Sequence, residues 1–302
     1  MLGACAGSRQ VPAAPSPTAP PADAPAPAAR APAPPHDRFF LSSDGVRLHM
    51  IEAGPANATT LVFVPGWDMP AWIFERQIAA FLPRYHVVAF DPRGQGDSDI
   101  PATGYEPHRR GQDIADLLQA LGPGKVVLAG WSLGVLDVLA YIADHGDGPV
   151  AALVLIDNSV GESPAPPPPA PPPRQAGHRR KRRPVRRPES MREFVQSMFR
   201  SPVPASYIDR LTESALRVPA ADSARLLNYP VPRSFWRQAL YSTGVPVLYV
   251  VRPHLAAQAH NLAAHRPHSD CVVLTGPGHA LFVDDADGFD RLLAAFLARH
   301  DL

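Results

Sequence analysis

Cysteine is nearly absent from this chain. Its 302 residues hold two, Cys5 and Cys271, so a disulfide framework is excluded as the source of stability. Cys271 opens an apolar run, Cys271-Val272-Val273-Leu274, and reads as a small core residue. No apolar run reaches the ~18 residues needed to span a bilayer. No internal repeat is visible. The histidines between Arg252 and Ser269 (His254, His260, His265 and His268) have no carboxylate among them and no metal-ligand spacing. Neither a metal nor another cofactor is expected.

What is abundant is proline, and it is unevenly placed. Of 38 prolines, ten fall in residues 11–35 and ten in residues 164–188. Such stretches bury too little apolar surface to offset the entropy of ordering, so both are expected to be extended or disordered. Residues 174–187 hold eight basic groups and no acid, which leaves 21 basic against 28 acidic residues elsewhere. No aromatic side chain is interleaved with those arginines, so nucleic-acid binding through base stacking is not expected. A solvated cationic loop is the simplest reading, and contact with an anionic surface the sharper one.

The remainder alternates strand and helix signals. Phe39–Leu41 and Val46–Ile51 flank an Asp44-Gly45 turn and read as a hairpin. Thr60–Val64, His86–Phe90, Lys125–Ala129, Ala151–Ile156, Val245–Val251 and Val272–Leu274 are short, continuous apolar runs typical of strands buried on both faces. Helical periodicity lies between them, as in Pro107–Leu121 and Leu133–His145. The expected architecture is α/β, a mostly parallel eight-stranded sheet with helices on both faces and a helical cap insertion. The expected division is a tail at 1–37, a core at 38–157 and 244–302, and an insertion at 158–243 with a disordered Pro/Arg-rich start at about 162–188.

The strand Val126-Val127-Leu128-Ala129 runs directly into Gly130-Trp131-Ser132-Leu133-Gly134 and then a helix. A G-x-S-x-G pattern in that context places the serine on a tight strand-to-helix turn, and its flanking glycines leave room for neighbouring chain. Three further blocks occur in order: Val64-Pro65-Gly66-Trp67, then Asp91-Pro92-Arg93-Gly94-Gln95-Gly96-Asp97-Ser98, and finally Gly276-Pro277-Gly278-His279. Together the four blocks resemble the α/β-hydrolase superfamily across Phe39–Ile156 and Pro246–Leu302.

That resemblance implies acyl transfer, with Ser132 as nucleophile and His279 as general base. By family position, the backbone N–H groups of Trp67 and Leu133 would form the oxyanion hole, although Pro65 stands where relatives usually carry histidine. Relatives commonly place the triad acid after the strand matching Val245–Val251, and this chain has Arg252-Pro253-His254-Leu255 there. A subset of relatives carries the acid one strand earlier, which here is Asp157. The bland alternative for Asp157 is a strand cap, with Ser132 and His279 acting as a dyad.

Serine at the nucleophile position excludes the alkyl-enzyme chemistry of related dehalogenases and epoxide hydrolases, which need aspartate there. A small to medium apolar carboxylic ester is the expected substrate. Carrier-protein ester cleavage, C–C bond hydrolysis and a small-molecule receptor role stay open. Leu2-Gly3-Ala4-Cys5 resembles a bacterial lipobox, which would tether the protein to a membrane in the cell envelope if a signal segment precedes it. Otherwise the cytoplasm is expected.

Overall fold

The computed structural model describes residues 33–165 and 187–302. The lipobox at Cys5, most of the proline-rich tail and all but Arg187 of the basic run lie outside the described residues. The elements are β1 (His36–Leu41), β2 (Arg47–Ala53), β3 (Thr60–Val64), α1 (Glu75–Phe81), β4 (His86–Asp91), α2 (Pro107–Leu121), β5 (Val126–Trp131) and α3 (Leu133–His145). They continue through β6 (Val150–Ile156), α4 (Arg187–Ser197), α5 (Ala205–Arg217), α6 (Ala220–Leu226), α7 (Arg233–Tyr241) and β7 (Val247–Val251). The last are α8 (Ala256–His265), β8 (Ser269–Val273), α9 (Leu281–Asp284) and α10 (Ala286–Arg299).

Eight strands form one sheet in the order β1-β2-β4-β3-β5-β6-β7-β8. The β1–β2 and β2–β4 pairs are antiparallel and all others parallel. Period-two alternation divides the strand side chains between two apolar layers. Val62, Val64, Val88, Phe90, Leu128, Leu153 and Leu155 pack with Ile114 and Leu117 of α2, Val138 and Leu139 of α3, Leu240 of α7 and Leu262 of α8. Leu61, Phe63, Val87, Val127, Val154 and Leu248 face the other way, onto Ile78 of α1 and Phe289, Leu293 and Phe296 of α10. The described helices are too short or too polar to cross a membrane.

Two boundaries differ from the sequence expectation. β1 begins at His36 rather than after residue 37, because its edge pairing with β2 runs from His36↔Glu52. Residues 162–165 and 187–188, expected within a disordered start, are described and anchored at both ends. Glu162 is buried and accepts from Arg237 Nε, Tyr241 Oη and Asn261 Nδ2, with Arg233 bonded to its carbonyl. At the far end α4 starts at Arg187 with Pro188 in its first turn, where a missing N–H costs nothing.

The turn after β4 is held by charge. Asp91 accepts from the N–H groups of Ala71 and Asp97 and from His49 Nδ1 at 2.5, 2.9 and 2.7 Å. Arg93 is fully buried and donates Nε and Nη2 to Asp113 at 2.6 Å each, and both Nη groups to Asp44 at 3.0 Å. A buried ion pair stripped of one partner leaves an uncompensated charge, although here Arg109 also reaches Asp113. Arg93→Ala is expected to lower stability by about 3 kcal/mol, measured by chemical denaturation.

Candidate active site

Ser132, Asp157, Arg252 and His279 follow β5, β6, β7 and β8, and Trp67 follows β3. All five therefore sit beyond the carboxyl ends of parallel strands, the side on which open α/β sheets bind ligands. Inter-strand bonds fix their spacing: Ser132 N–H donates to Ile156 O, Asp157 N–H to Val250 O, and Leu274 N–H to Val251 O, at 2.9, 2.9 and 2.8 Å.

Ser132 has φ 53° and ψ −119°, a region L residues avoid and tolerate where surrounding structure enforces it. The enforcement is steric. A Cβ on Gly130 would strike the backbone of Gly134, and one on Gly134 would strike Val64 O. A Cβ on Gly66 would come within 2.9 Å of Ser132 Cβ, so the loop carrying Trp67 passes directly over the serine. Asp157, at φ 49°, also leaves its strand through a left-handed residue, a conformation aspartate adopts more readily than most.

The three side chains form one line of hydrogen bonds. His279 Nδ1 lies 2.6 Å from Asp157 Oδ2, and His279 Nε2 lies 2.9 Å from Ser132 Oγ. A carboxylate only accepts, so Nδ1 carries the proton and Nε2 is left to accept from the serine hydroxyl. Burial would raise the Asp157 carboxyl. The hydrogen bond from His279, with the charges of His279 and Arg252, outweighs burial and holds it below the ordinary aspartate value. Asp157 is buried, while Ser132 and His279 are only partly covered and so can meet a substrate.

Of the alternative acids, Asp284 is occupied by the N–H groups of Gly278, Arg200 and Ser201. Asp285 caps α10 through Gly288 N–H. Among the described residues the N–H groups of Trp67 and Leu133 have no hydrogen-bond acceptor, leaving two donors free beside Ser132. His49, Asp91 and Asp97 each bring a ligand atom within 4.8 Å of the others, but His49 Nδ1 and both Asp91 oxygens are already engaged in the β4 turn.

Several supporting residues had no signal in the sequence reading. Gln95 donates to the carbonyls of Gly66 and Met69 and accepts from Asp68 N–H, so the turn after β4 shapes the Trp67 loop. Trp131 donates its indole N–H to His279 O at 2.9 Å, and its ring lies 5.1 Å from the imidazole. Asn158 Nδ2 donates to Ser132 O at 2.7 Å. From the inserted helices, Ser223 accepts the Trp67 indole N–H on its carbonyl and donates its hydroxyl to Asp68 Oδ2. Burial pushes the Asp68 carboxyl up to about 6, against that hydrogen bond and the Arg187 charge. Phe194 of α4 packs edge-on against Trp67 at 5.0 Å, and Tyr207 of α5 against Trp72 at 5.5 Å.

Comparison with known proteins agrees with this architecture. The model of the alpha/beta hydrolase family matches residues 61–292. A non-heme chloroperoxidase from Streptomyces lividans is 36% identical over 116 residues, which is 38% of this chain and 42% of that protein. A bifunctional esterase/perhydrolase from Acinetobacter calcoaceticus is 32% identical over 119 residues, 39% of this chain and 43% of that one. The matched segment thus spans about two fifths of these relatives' length. In fold, the chain is similar to an esterase from Rhodococcus sp. ECU1013, with a TM-score of 0.70 at 24% identity, over 87% of this chain and 98% of that structure.

Proposed function

Because the chain belongs to the alpha/beta hydrolase family, we propose that it is a serine hydrolase cleaving a carboxylic ester of a small to medium apolar substrate. The observation that carries this reading is the unbroken hydrogen-bond line from Asp157 through His279 to Ser132. In this mechanism Ser132 Oγ forms a bond to the ester carbonyl carbon while His279 Nε2 takes the hydroxyl proton. Asp157 holds the imidazole in the required tautomer and stabilises its charged form. The oxygen that becomes negative is met by the N–H groups of Trp67 and Leu133, donors that need no reorganisation. The C–O bond to the leaving alcohol then breaks, and His279 returns the proton to that oxygen. Water repeats the sequence on the acyl-enzyme, with His279 again as base, and releases the acid.

The helices α4–α6 serve in this reading as a cap, while α7 packs against the sheet. Support comes from the contacts of Phe194 and Ser223 with Trp67 and of Tyr207 with Trp72, which set aromatic surface around the carboxyl ends of the strands. In this reading, that aromatic surface favours apolar acyl groups of limited length. The test is turnover of a p-nitrophenyl ester series from acetyl to palmitoyl. The expected result is hydrolysis that is greatest at short to medium acyl chains and lost at the long end. Absence of turnover across the whole series would defeat the proposal.

A further inference from the structure

The loop after β7 lacks the acid expected there, and the residue in its place touches the triad. Arg252 donates its main-chain N–H to Asp157 Oδ1 at 2.9 Å and its Nε–H to Asp157 Oδ2 at 2.6 Å. Its Nη2 lies 3.4 Å from His279 Nδ1. Since Nδ1–H already points at Asp157, that last approach sets donor against donor. It is a juxtaposition of charge rather than a productive hydrogen bond. The guanidinium side chain is 27% exposed against 0% for Asp157, so the pair is only partly screened by solvent.

We propose that Arg252 is a positioning residue for the Ser132–His279–Asp157 system: it clamps both oxygens of Asp157 and sets a fixed positive charge against the imidazole. The proposal rests on the serine hydrolase reading above. Two effects of this charge act in the same direction. It neutralises part of the Asp157 charge that would otherwise favour the imidazolium, and it repels the imidazolium directly. The acid limb of the activity profile reports this balance.

Other groups face the same place. His254, on the turn after Arg252, lies within the fields of Asp157, Arg252 and His279. Tyr249 of β7 donates its hydroxyl to Asn158 O, the residue after Asp157. Asp284 of α9 holds the Gly278 N–H beside His279, and Arg200 reaches the same loop through Thr275 O. Because His254 feels the Arg252 charge, a His254→Gln background removes this second imidazole from the comparison.

The experiment measures kcat/KM for a short-chain ester, and the rate of Ser132 phosphonylation by a fluorophosphonate, from pH 5 to 9. Parent, Arg252→Gln and Arg252→Lys are compared with and without His254→Gln. Arg252→Gln is expected to move the acid limb up by about one pH unit. Arg252→Lys keeps the charge but loses the planar fork, so it leaves the limb in place while lowering the plateau severalfold. A purely structural role would depress all rates without moving the limb. An Arg252→Gln limb at the parental position, or lower, overturns the proposal. If Arg252→Gln fails to fold by circular dichroism, Arg252→Met takes the same test with the same expected shift. Failure of the parent to label at Ser132 would instead remove the underlying hydrolase reading, and the proposal with it.

Discussion

Ser132→Ala is expected to lower ester turnover by roughly a thousandfold or more and to abolish reaction with fluorophosphonates. The size of the effect follows from what the substitution leaves behind. The free N–H groups of Trp67 and Leu133 would still bind a developing oxyanion, and the residues around Trp67 would still hold substrate. What disappears is the hydroxyl oxygen 2.9 Å from His279 Nε2. Water in its place is neither oriented nor held covalently. Folding is expected to persist, because an alanine Cβ occupies the same space as the serine Cβ beneath Gly66. Turnover and thermal unfolding of the variant, measured together, separate lost chemistry from lost structure.

Asp157→Asn is the second large effect, an expected loss of about a hundredfold to ten-thousandfold in kcat. Asp157 now accepts from three donors: Arg252 N–H, Arg252 Nε–H and His279 Nδ1–H. Asparagine offers one oxygen and one NH2 group, so at least one of those donors would face another donor. Arg252 supplies two donors that cannot switch, whereas an imidazole can change tautomer. With the NH2 group in the Oδ2 position, His279 Nδ1 can accept from it only by moving its proton to Nε2, where it opposes the Ser132 hydroxyl and blocks proton transfer. The check is steady-state kinetics beside the Ser132→Ala variant. A loss smaller than tenfold would reduce Asp157 to a strand-end residue and leave a Ser132–His279 dyad.

The sheet and the elbow were legible because their signals are local. Short apolar runs such as Val62-Phe63-Val64 and Val87-Val88-Ala89, β-branched and bounded by turn signals, read as strands buried on two faces, and the glycines at 130 and 134 mark a turn without room for side chains. Asp157 is implied by the resemblance to relatives that carry the acid one strand earlier, and the geometry puts it 2.6 Å from His279. The partners of these residues were not legible, because each contact joins segments far apart in sequence. Arg252 meets Asp157 across 95 positions and Ser223 meets Asp68 across 155. An arginine after β7 read only as the absence of an acid. Its side chain gains meaning once β6 and β7 pair in register, Ile156 beside Val250, and set the two strand ends together. Gln95 was hidden in the same way, inside a glycine-rich turn whose role in shaping the Trp67 loop needs the third dimension.

The most direct measurement is mass-spectrometric mapping of the site modified by a fluorophosphonate in the full chain. The account predicts a single adduct on the peptide carrying Ser132, absent in Ser132→Ala and formed far more slowly in His279→Ala. An adduct on another residue, or undiminished labelling of the Ser132→Ala protein, would contradict it.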